Sequence, residues 1–381
     1  TTALLRSDVL DWVEPADDPG DEDADVDGIN DASDPCVGLA AYELPTPVAL
    51  DRVNAATAPR AAIGWSDRHQ RLAFAWSSYD NERARMWSPR TGYTATRVFA
   101  NRTHSYAGEY ARCAVWTASS LVIPFDNRGG LYTQRLDPAG ALVGGNPRFN
   151  TATGDNFMGC AQDADGAIVI AVEGNNQPDV TRVADDGTRL VATGLVDFGD
   201  SLSLVRTAPG TYVHYDGINT ARFLGENLLE TRRVGVDAHD GNSWGRMAFD
   251  GQRIAVAVPR ALGGSRRVQF RTYTPEMVPL GGGFTAGGGL TDGPVDVAAG
   301  PDGWGMVWAQ SSGGVTNVYF DSATPDGVRR SAPSLLIDRA DVRWAEPRIT
   351  WAGDRWAVAW GRRRADNDFD LTFAHGTLQC R

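Results

Sequence analysis

Acidic residues near the start of the chain have the types and spacing that bind calcium. Asp occupies positions one, three, five, nine and twelve of the twelve-residue segment 23–34, and Gly28 occupies position six. Ca²⁺ takes six to eight oxygen ligands at about 2.3–2.6 Å, and a glycine pivot lets alternate carboxylates converge on one ion. The spacing therefore predicts a calcium-binding loop. The alternative is a solvated acidic linker.

The same segment resembles a thrombospondin type 3 repeat, in which alternating Asp residues precede a Gly, two further Asp and a Cys, matched here from Asp23 to Cys36. The resemblance implies a disulfide at Cys36 and carboxylate ligands plus one carbonyl ligand, that of Ile29. A helix-loop-helix site is not expected, because no amphipathic helix flanks the segment and Asp34 replaces the usual bidentate Glu. The implied calcium ligands are Asp23, Asp25, Asp27, Ile29, Asp31 and Asp34.

Charge is concentrated in this part of the chain. The 381 residues carry a net charge of −12, and residues 1–36 contribute ten Asp, two Glu and one Arg, whereas the remaining residues carry 36 acids and 35 Arg. The chain is therefore predicted to have an acidic arm, 1–36, before a near-neutral domain, 37–381. This balance argues against nucleic acid as a partner. No apolar run approaches the roughly 20 residues of a membrane span. Residues 1–13 do not resemble a signal peptide, so the chain is expected to be either never targeted or already processed.

Short apolar strand-like runs repeat along the domain. They end at Trp76, Phe125, Val172, Tyr215, Val258, Trp308 and Trp360, with spacings of 49, 47, 43, 43, 50 and 52 residues. Tight-turn pairs such as Asp250-Gly251 and Asp302-Gly303 precede several runs. A period in the forties built from strands and turns predicts an all-β protein, a β-propeller whose blades are four-stranded sheets. Seven blades fit best, and six or eight also fit the weak repeat.

The last repeat ends after its third strand, so its outer strand must come from elsewhere. Segment 47–60 shares with segment 334–348 the order apolar residue, Asp, Arg and, after a spacer, Pro and Arg. Because 334–348 contains the outer strand of the sixth blade, the N-terminal outer strand 47–52 is predicted to close the seventh blade and leave no open sheet edge.

Four cysteines fall at informative places in this scheme. Cys36 lies just before the closing strand and Cys380 just after the third strand of the same blade, so a bond between them would join the two ends of the ring. Cys113 and Cys160 occupy equivalent first-strand positions in neighbouring blades, where they are either bonded or two buried free thiols. Disulfides would indicate an oxidising compartment.

Catalytic motifs are not found in the sequence. The five His form no HxH or HExxH pattern, the Cys lack CxxC spacing, and neither a GxSxG elbow nor a phosphate-binding glycine loop occurs. The repeats lack the WD dipeptide, the kelch double glycine and the sialidase Asp-box, and they resemble only broadly the divergent propellers of secreted bacterial proteins. Trp residues within the strands are best explained as core.

A ligand surface is predicted on the loops that follow second and fourth strands, because these loops share one face of a propeller and binding residues are concentrated on loops. Its candidate residues are Tyr79, His104, Tyr106, His239, Trp244 and Trp344.

These features favour a non-enzymatic binding or assembly module, secreted or at a bacterial cell surface or periplasm, with a structural Ca²⁺ and a surface protein or glycan as its partner. One alternative is a secreted glycan-active enzyme, a hydrolase or lyase with paired carboxylates at the channel mouth. Another is a structural subunit of a surface filament whose N-terminal segment docks into a neighbouring subunit.

Overall fold

The structure is a computed structural model. It describes residues 40–42, 47–53, 59, 61–77, 81–101, 113–126, 130–150, 158–163, 165–174, 177–194, 203–215, 220–236, 245–262, 265–287, 295–312, 315–330, 335–340, 346–366, 368–376 and 378–380. The chain divides into two compact units, Thr1–Glu43 with Leu378–Arg381, and Leu44–Thr377. All regular structure among the described residues is β.

The larger unit is a seven-bladed β-propeller, as the repeat predicted. Two strands come first in the chain, β1 (Ala40–Tyr42) and β2 (Val48–Val53). Blade 1 contains β3 (Ala61–Ser66), β4 (Arg71–Ser77), β5 (Asn81–Ser88), β6 (Gly92–Tyr93) and β7 (Arg97–Asn101). Blade 2 contains β8 (Val115–Trp116), β9 (Leu121–Asp126), β10 (Leu131–Leu136), β11 (Leu142–Val143) and β12 (Arg148–Asn150). In both blades two short strands share the outer position.

Each of the other five blades is a regular antiparallel sheet of four strands. Blade 3 contains β13 (Met158–Gln162), β14 (Ile168–Gly174), β15 (Gln177–Val183) and β16 (Arg189–Gly194). Blade 4 contains β17 (Ser203–Ala208), β18 (Thr211–Tyr215), β19 (Thr220–Leu224) and β20 (Glu230–Gly235). Blade 5 contains β21 (Arg246–Phe249), β22 (Ile254–Leu262), β23 (Ser265–Tyr273) and β24 (Pro279–Ala286). Blade 6 contains β25 (Asp296–Gly300), β26 (Gly303–Ser312), β27 (Val315–Ala323) and β28 (Leu335–Arg339).

The seventh blade is completed from the N-terminal side. Its first three strands are β29 (Arg348–Trp351), β30 (Trp356–Arg363) and β31 (Phe369–Gly376), and β2 pairs antiparallel with β31 as the outer strand. Val48 lies opposite Phe373, and Val53 lies opposite Phe369. The predicted closing strand is therefore confirmed, one residue later than expected at each end. With β2 in place, the edge of β31 is paired.

The first strands of the blades form a ring. Each first strand contacts the first strand of the next blade, and β29 of the last blade contacts β3 of the first. Each is also the edge strand of its own sheet, so its inner side bears backbone N–H and C=O groups that no neighbouring strand pairs. The ring therefore surrounds a polar axis.

Apolar side chains from adjacent blades form the core. Between blades 7 and 1, Phe74 and Trp76 of β4 pack with Leu371 and Phe373 of β31, and the rings of Phe74 and Phe373 meet edge to face at 4.8 Å. Strand tryptophans were predicted to be core residues: Trp76, Trp116, Trp308 and Trp360 are buried, whereas Trp65 and Trp351 are half-buried. Large apolar side chains are therefore buried between adjacent blades.

The turns between third and fourth strands require a positive φ at their fourth residue. Glycine supplies it in blades 3 and 6, where Gly187 has φ 87° and Gly327 has φ 88°. The equivalent residues of blades 4 and 5 are Leu228, with φ 60°, and Met277, with φ 63°, and both side chains are buried in the core. Burial of a large side chain compensates for the backbone cost that glycine avoids.

In the smaller unit, the described residues form a two-stranded antiparallel sheet. β1 pairs with β32 (Leu378–Cys380), so that Ala40 lies opposite Cys380. The predicted arm boundary at residue 36 and the predicted Cys36–Cys380 bond involve residues outside those described, and they stay predictions.

Candidate functional site

An axial cavity of about 180 Å³ lies inside the ring of first strands. All seven blades contribute to its lining, beginning with Ile63 from blade 1 and ending with Ile349 from blade 7. The lining includes the small or apolar residues Ala114, Val115, Gly159 and Leu204. The polar or sulfur-containing lining residues are Cys113, Cys160, Ser203, Arg246, Met247, Asp296 and Arg348.

Three of these side chains occupy the same position in consecutive blades. Arg246 of β21, Asp296 of β25 and Arg348 of β29 each lie opposite the equivalent residue of the second strand, namely Ala257, Val307 and Ala359. Each is the first residue of its strand. The three charges therefore form one row along the ring, in the order positive, negative, positive.

The row is largely withdrawn from solvent. Arg246 is 7% exposed and Arg348 is 6% exposed. Nη1 of Arg348 lies 3.9 Å from Oδ1 of Asp296, while Oδ2 of Asp296 accepts a 2.9 Å hydrogen bond from the backbone N–H of Ile349. The carboxylate of Asp296 is thus held by the backbone, and its ion pair with Arg348 is long.

Burial is the main influence on the pKa of Arg246. Desolvation, followed by repulsion from Arg348, lowers that pKa to about 9, although Asp296 and Glu346 act in the opposite direction. A buried guanidinium with a second one nearby is a site where an additional negative charge would be stabilising.

Glu346 lies beside this row on the connection that leads into β29. Its side chain is 1% exposed, and its backbone φ is 39°, in the left-handed region that non-glycine residues rarely adopt. Such strain is kept where surrounding structure demands it, and it is concentrated at functional sites. The strained backbone therefore places a second carboxylate near Arg246.

A disulfide bond between neighbouring blades also lines the cavity. Cys113, just before β8, is bonded to Cys160 of β13, with their Cα atoms 6.0 Å apart. The pairing predicted between blades 2 and 3 is therefore present, and the alternative of two free thiols is wrong.

A second, larger cavity of about 360 Å³ lies at the turns of blades 7 and 1. Trp65, Asp67, Arg90 and Asp354 are among its lining residues. Its tryptophan is held in place, because the indole Nε1 of Trp65 donates a 2.8 Å hydrogen bond to Oδ1 of Asp67. The strand pattern predicted a core position for Trp65, whereas the structure leaves this side chain half-buried at the surface.

The two ends of the propeller differ in the length of their connections. At one end, short turns such as 67–70, 209–210 and 301–302 join first to second strands. At the other end, longer connections lead from one blade to the next, namely 102–114, 151–157, 195–202, 236–245, 287–295 and 340–347. Arg246, Asp296 and Arg348 directly follow connections of this second kind, so the charged row lies near the end with the long connections.

By their place in the chain, the predicted ligand residues belong to connections that follow second or outer strands. Tyr79 follows a second strand, and the others follow outer strands: His104, Tyr106, His239, Trp244 and Trp344. All six lie outside the described residues, as do the predicted calcium ligands Asp23, Asp25, Asp27, Ile29, Asp31 and Asp34. Within the described ranges, no group of three or more His, Cys, Asp or Glu side chains could hold a metal ion.

Comparison with known proteins adds only a distant structural likeness. No protein-family model matches this chain, and no curated protein sequence is detectably similar to it. Among solved structures, the chain is similar to the crystal structure of BamB from Moraxella catarrhalis, with 10% sequence identity, a TM-score of 0.48, and coverage of 88% of this chain and 100% of that chain. In the described part of the chain, no helix is long and apolar enough to cross a membrane.

Proposed function

We propose that this protein is a non-enzymatic binding or assembly module of the cell envelope or cell surface, which recognises a surface protein or glycan with the long-connection end of the propeller. The observation that carries the proposal is the difference between the two ends. Tight turns close one end, while the connections at the other supply the length and the aromatic and His residues that a rigid scaffold can present to a partner.

The Cys113–Cys160 bond supports a location outside the cytoplasm, because structural disulfides persist in oxidising compartments. A paired-carboxylate glycosidase would need two acids facing a substrate. Of the described residues that line the axial cavity, Asp296 is the one carboxylate. A binding role therefore has more support than the glycan-active alternative.

A binding comparison of three proteins tests the proposed surface. The wild type, a Trp244→Ala/Trp344→Ala variant and a Leu229→Ala/Val278→Ala variant would be tested on a glycan array and against purified envelope proteins. Leu229 and Val278 are exposed turn residues, 58% and 56% exposed, between third and fourth strands. The partner should bind the wild type and the Leu229→Ala/Val278→Ala variant. The Trp244→Ala/Trp344→Ala variant should not bind it. Binding lost only in the turn variant would contradict the proposal.

Calcium binding by segment 23–34 is part of the same proposal, and its support is the spacing of the five Asp residues and Gly28. Calorimetric titration of Ca²⁺ should give saturable heat with the wild type and none with Asp25→Ala/Asp27→Ala. A matched control, Asp17→Asn/Asp18→Asn, removes the same charge from the arm outside the loop. If both variants bind Ca²⁺ like the wild type, the loop is not the site.

A further inference from the structure

Two buried arginines face one axial cavity with one carboxylate between them. Arg246 and Arg348 flank Asp296 in the row of first-strand residues, and all three line the cavity. Glu346 offsets part of the charge of Arg246, but it is not among the residues that line the cavity. The cavity surface therefore presents more positive than negative side-chain charge.

Arg348 has hydrogen-bonding capacity that its surroundings do not use. Its Nε is buried and has no hydrogen-bond partner among the described residues, and its ion pair with Asp296 is long at 3.9 Å. A buried guanidinium N–H without an acceptor costs free energy, which an oxygen acceptor inside the cavity would remove. Guanidinium groups bind carboxylates and phosphates through two parallel N–H···O hydrogen bonds.

The cavity has the size of a small molecule. At about 30 Å³ per water molecule, its volume of about 180 Å³ corresponds to a handful of waters. It therefore has room for inorganic phosphate or a short carboxylate.

We propose that the axial cavity binds a small oxyanion, a carboxylate or a phosphate, between the guanidinium groups of Arg246 and Arg348. Asp296 limits the affinity through repulsion and keeps Arg348 oriented in the absence of the anion. The site is independent of the proposed partner surface, because it uses first-strand residues only. It lies near the end where the long connections enter the blades.

Calorimetry and thermal unfolding with sodium phosphate and sodium succinate test the site, with sodium chloride at matched ionic strength as the reference. The wild type should bind one of the two oxyanions saturably and show a matching rise in Tm. Arg348→Gln should weaken that binding at least about tenfold, since a charge-assisted bidentate contact is lost. Arg189→Gln, which removes an exposed arginine from β16, should leave the affinity unchanged.

Asp296→Asn gives a test with the opposite sign. The amide oxygen can still accept the Ile349 N–H, and removal of the negative charge should tighten oxyanion binding several-fold. This variant also decides the question if Arg348→Gln does not fold. The proposal is overturned if neither oxyanion binds the wild type above the chloride reference, if Arg348→Gln binds as tightly as the wild type, or if Asp296→Asn binds no more tightly.

Discussion

The indole Nε1 of Trp76 donates a 3.1 Å hydrogen bond to Oδ2 of Asp51, which joins the second strand of blade 1 to the closing strand β2. The same contact occurs one blade earlier, where Nε1 of Trp360 donates to Oδ2 of Asp338 in β28, also at 3.1 Å. In each case the tryptophan belongs to the second strand of one blade and the aspartate to the outer strand of the preceding blade. The closing strand thus makes the interblade contact of an ordinary outer strand.

Removal of the Asp51 carboxylate should destabilise the closed ring. Asp51→Ala is expected to lower the free energy of unfolding by about 2 kcal/mol, because Asp51 also accepts a 2.6 Å charged hydrogen bond from Nη1 of Arg83. Asp338→Ala, which removes the equivalent tryptophan contact between blades 6 and 7, is the matched variant. Urea unfolding followed by circular dichroism measures both. Equal stability of the wild type and Asp51→Ala would show that the contact does not support closure.

The closing strand could be predicted from the sequence because it makes the same contacts with the next blade as another outer strand does. Asp51 and Asp338 both meet a buried tryptophan and are both followed by Arg, and this shared requirement is visible as a shared residue order. The disulfide at Cys113 and Cys160 was predictable for a similar reason, since equivalent positions of adjacent blades are brought together by the repeat.

The axial charged row could not be predicted in the same way. Arg246, Asp296 and Arg348 are single polar residues at the starts of short strands, and solvent-facing strand residues give the same local pattern. Only closure of the ring turns these positions towards a shared axis. One signal is present in the sequence. If the first strands are aligned by their pairing with second-strand residues Ala257, Val307 and Ala359, the three charged residues occupy the same position in each blade.

The interblade disulfide should contribute strongly to stability. It joins residues 47 positions apart, and the chain-entropy treatment gives about 4 kcal/mol for a loop of that length. Cys113→Ala/Cys160→Ala is therefore expected to lower the free energy of unfolding by several kcal/mol, as measured by guanidinium denaturation. Treatment of this variant with a reductant controls for any other disulfide in the chain. A variant as stable as the wild type would show that interblade packing alone holds blades 2 and 3 together.

Asp185 joins the turn of blade 3 to the first turn of blade 2 by accepting three hydroxyl hydrogen bonds. Its donors are Thr117 at 2.6 Å, Ser119 at 2.5 Å and Ser120 at 2.9 Å. Burial opposes ionisation, but these hydroxyls and Arg135 outweigh it, so the pKa of Asp185 is lowered.

Because the folded-state pKa of Asp185 lies below its unfolded value of about 3.9, ionised Asp185 stabilises the fold at neutral pH. This contribution is lost as the pH falls through the folded-state pKa. Asp185→Asn should be less stable than the wild type at pH 7, and the difference should shrink below about pH 4. Asp302→Asn, in another turn, serves as the control in urea unfolding between pH 7 and pH 3. A difference that does not change with pH would contradict the assignment to ionised Asp185.

His214 should make the propeller sensitive to mild acid. It is 0% exposed in β18, and neither ring nitrogen has a hydrogen-bond partner among the described residues. Desolvation, reinforced by Arg222 and opposed by Glu230, lowers the pKa of His214 to about 3. The imidazole is thus neutral in the folded protein, whereas in the unfolded chain it takes up a proton below about pH 6.5.

Between these two pKa values the unfolded state binds one more proton than the folded state, so His214 makes stability fall as the pH falls. The slope from this residue is about 1.4 kcal/mol per pH unit between roughly pH 6 and pH 4. Replacement by Leu or by Asn should remove that slope, although the two variants will differ in stability at pH 7 because only Asn keeps a buried polar group. Urea unfolding of the wild type and both variants at pH 7, 6, 5 and 4 measures the slopes. If the three proteins lose stability in parallel, His214 is not the residue whose protonation is linked to unfolding.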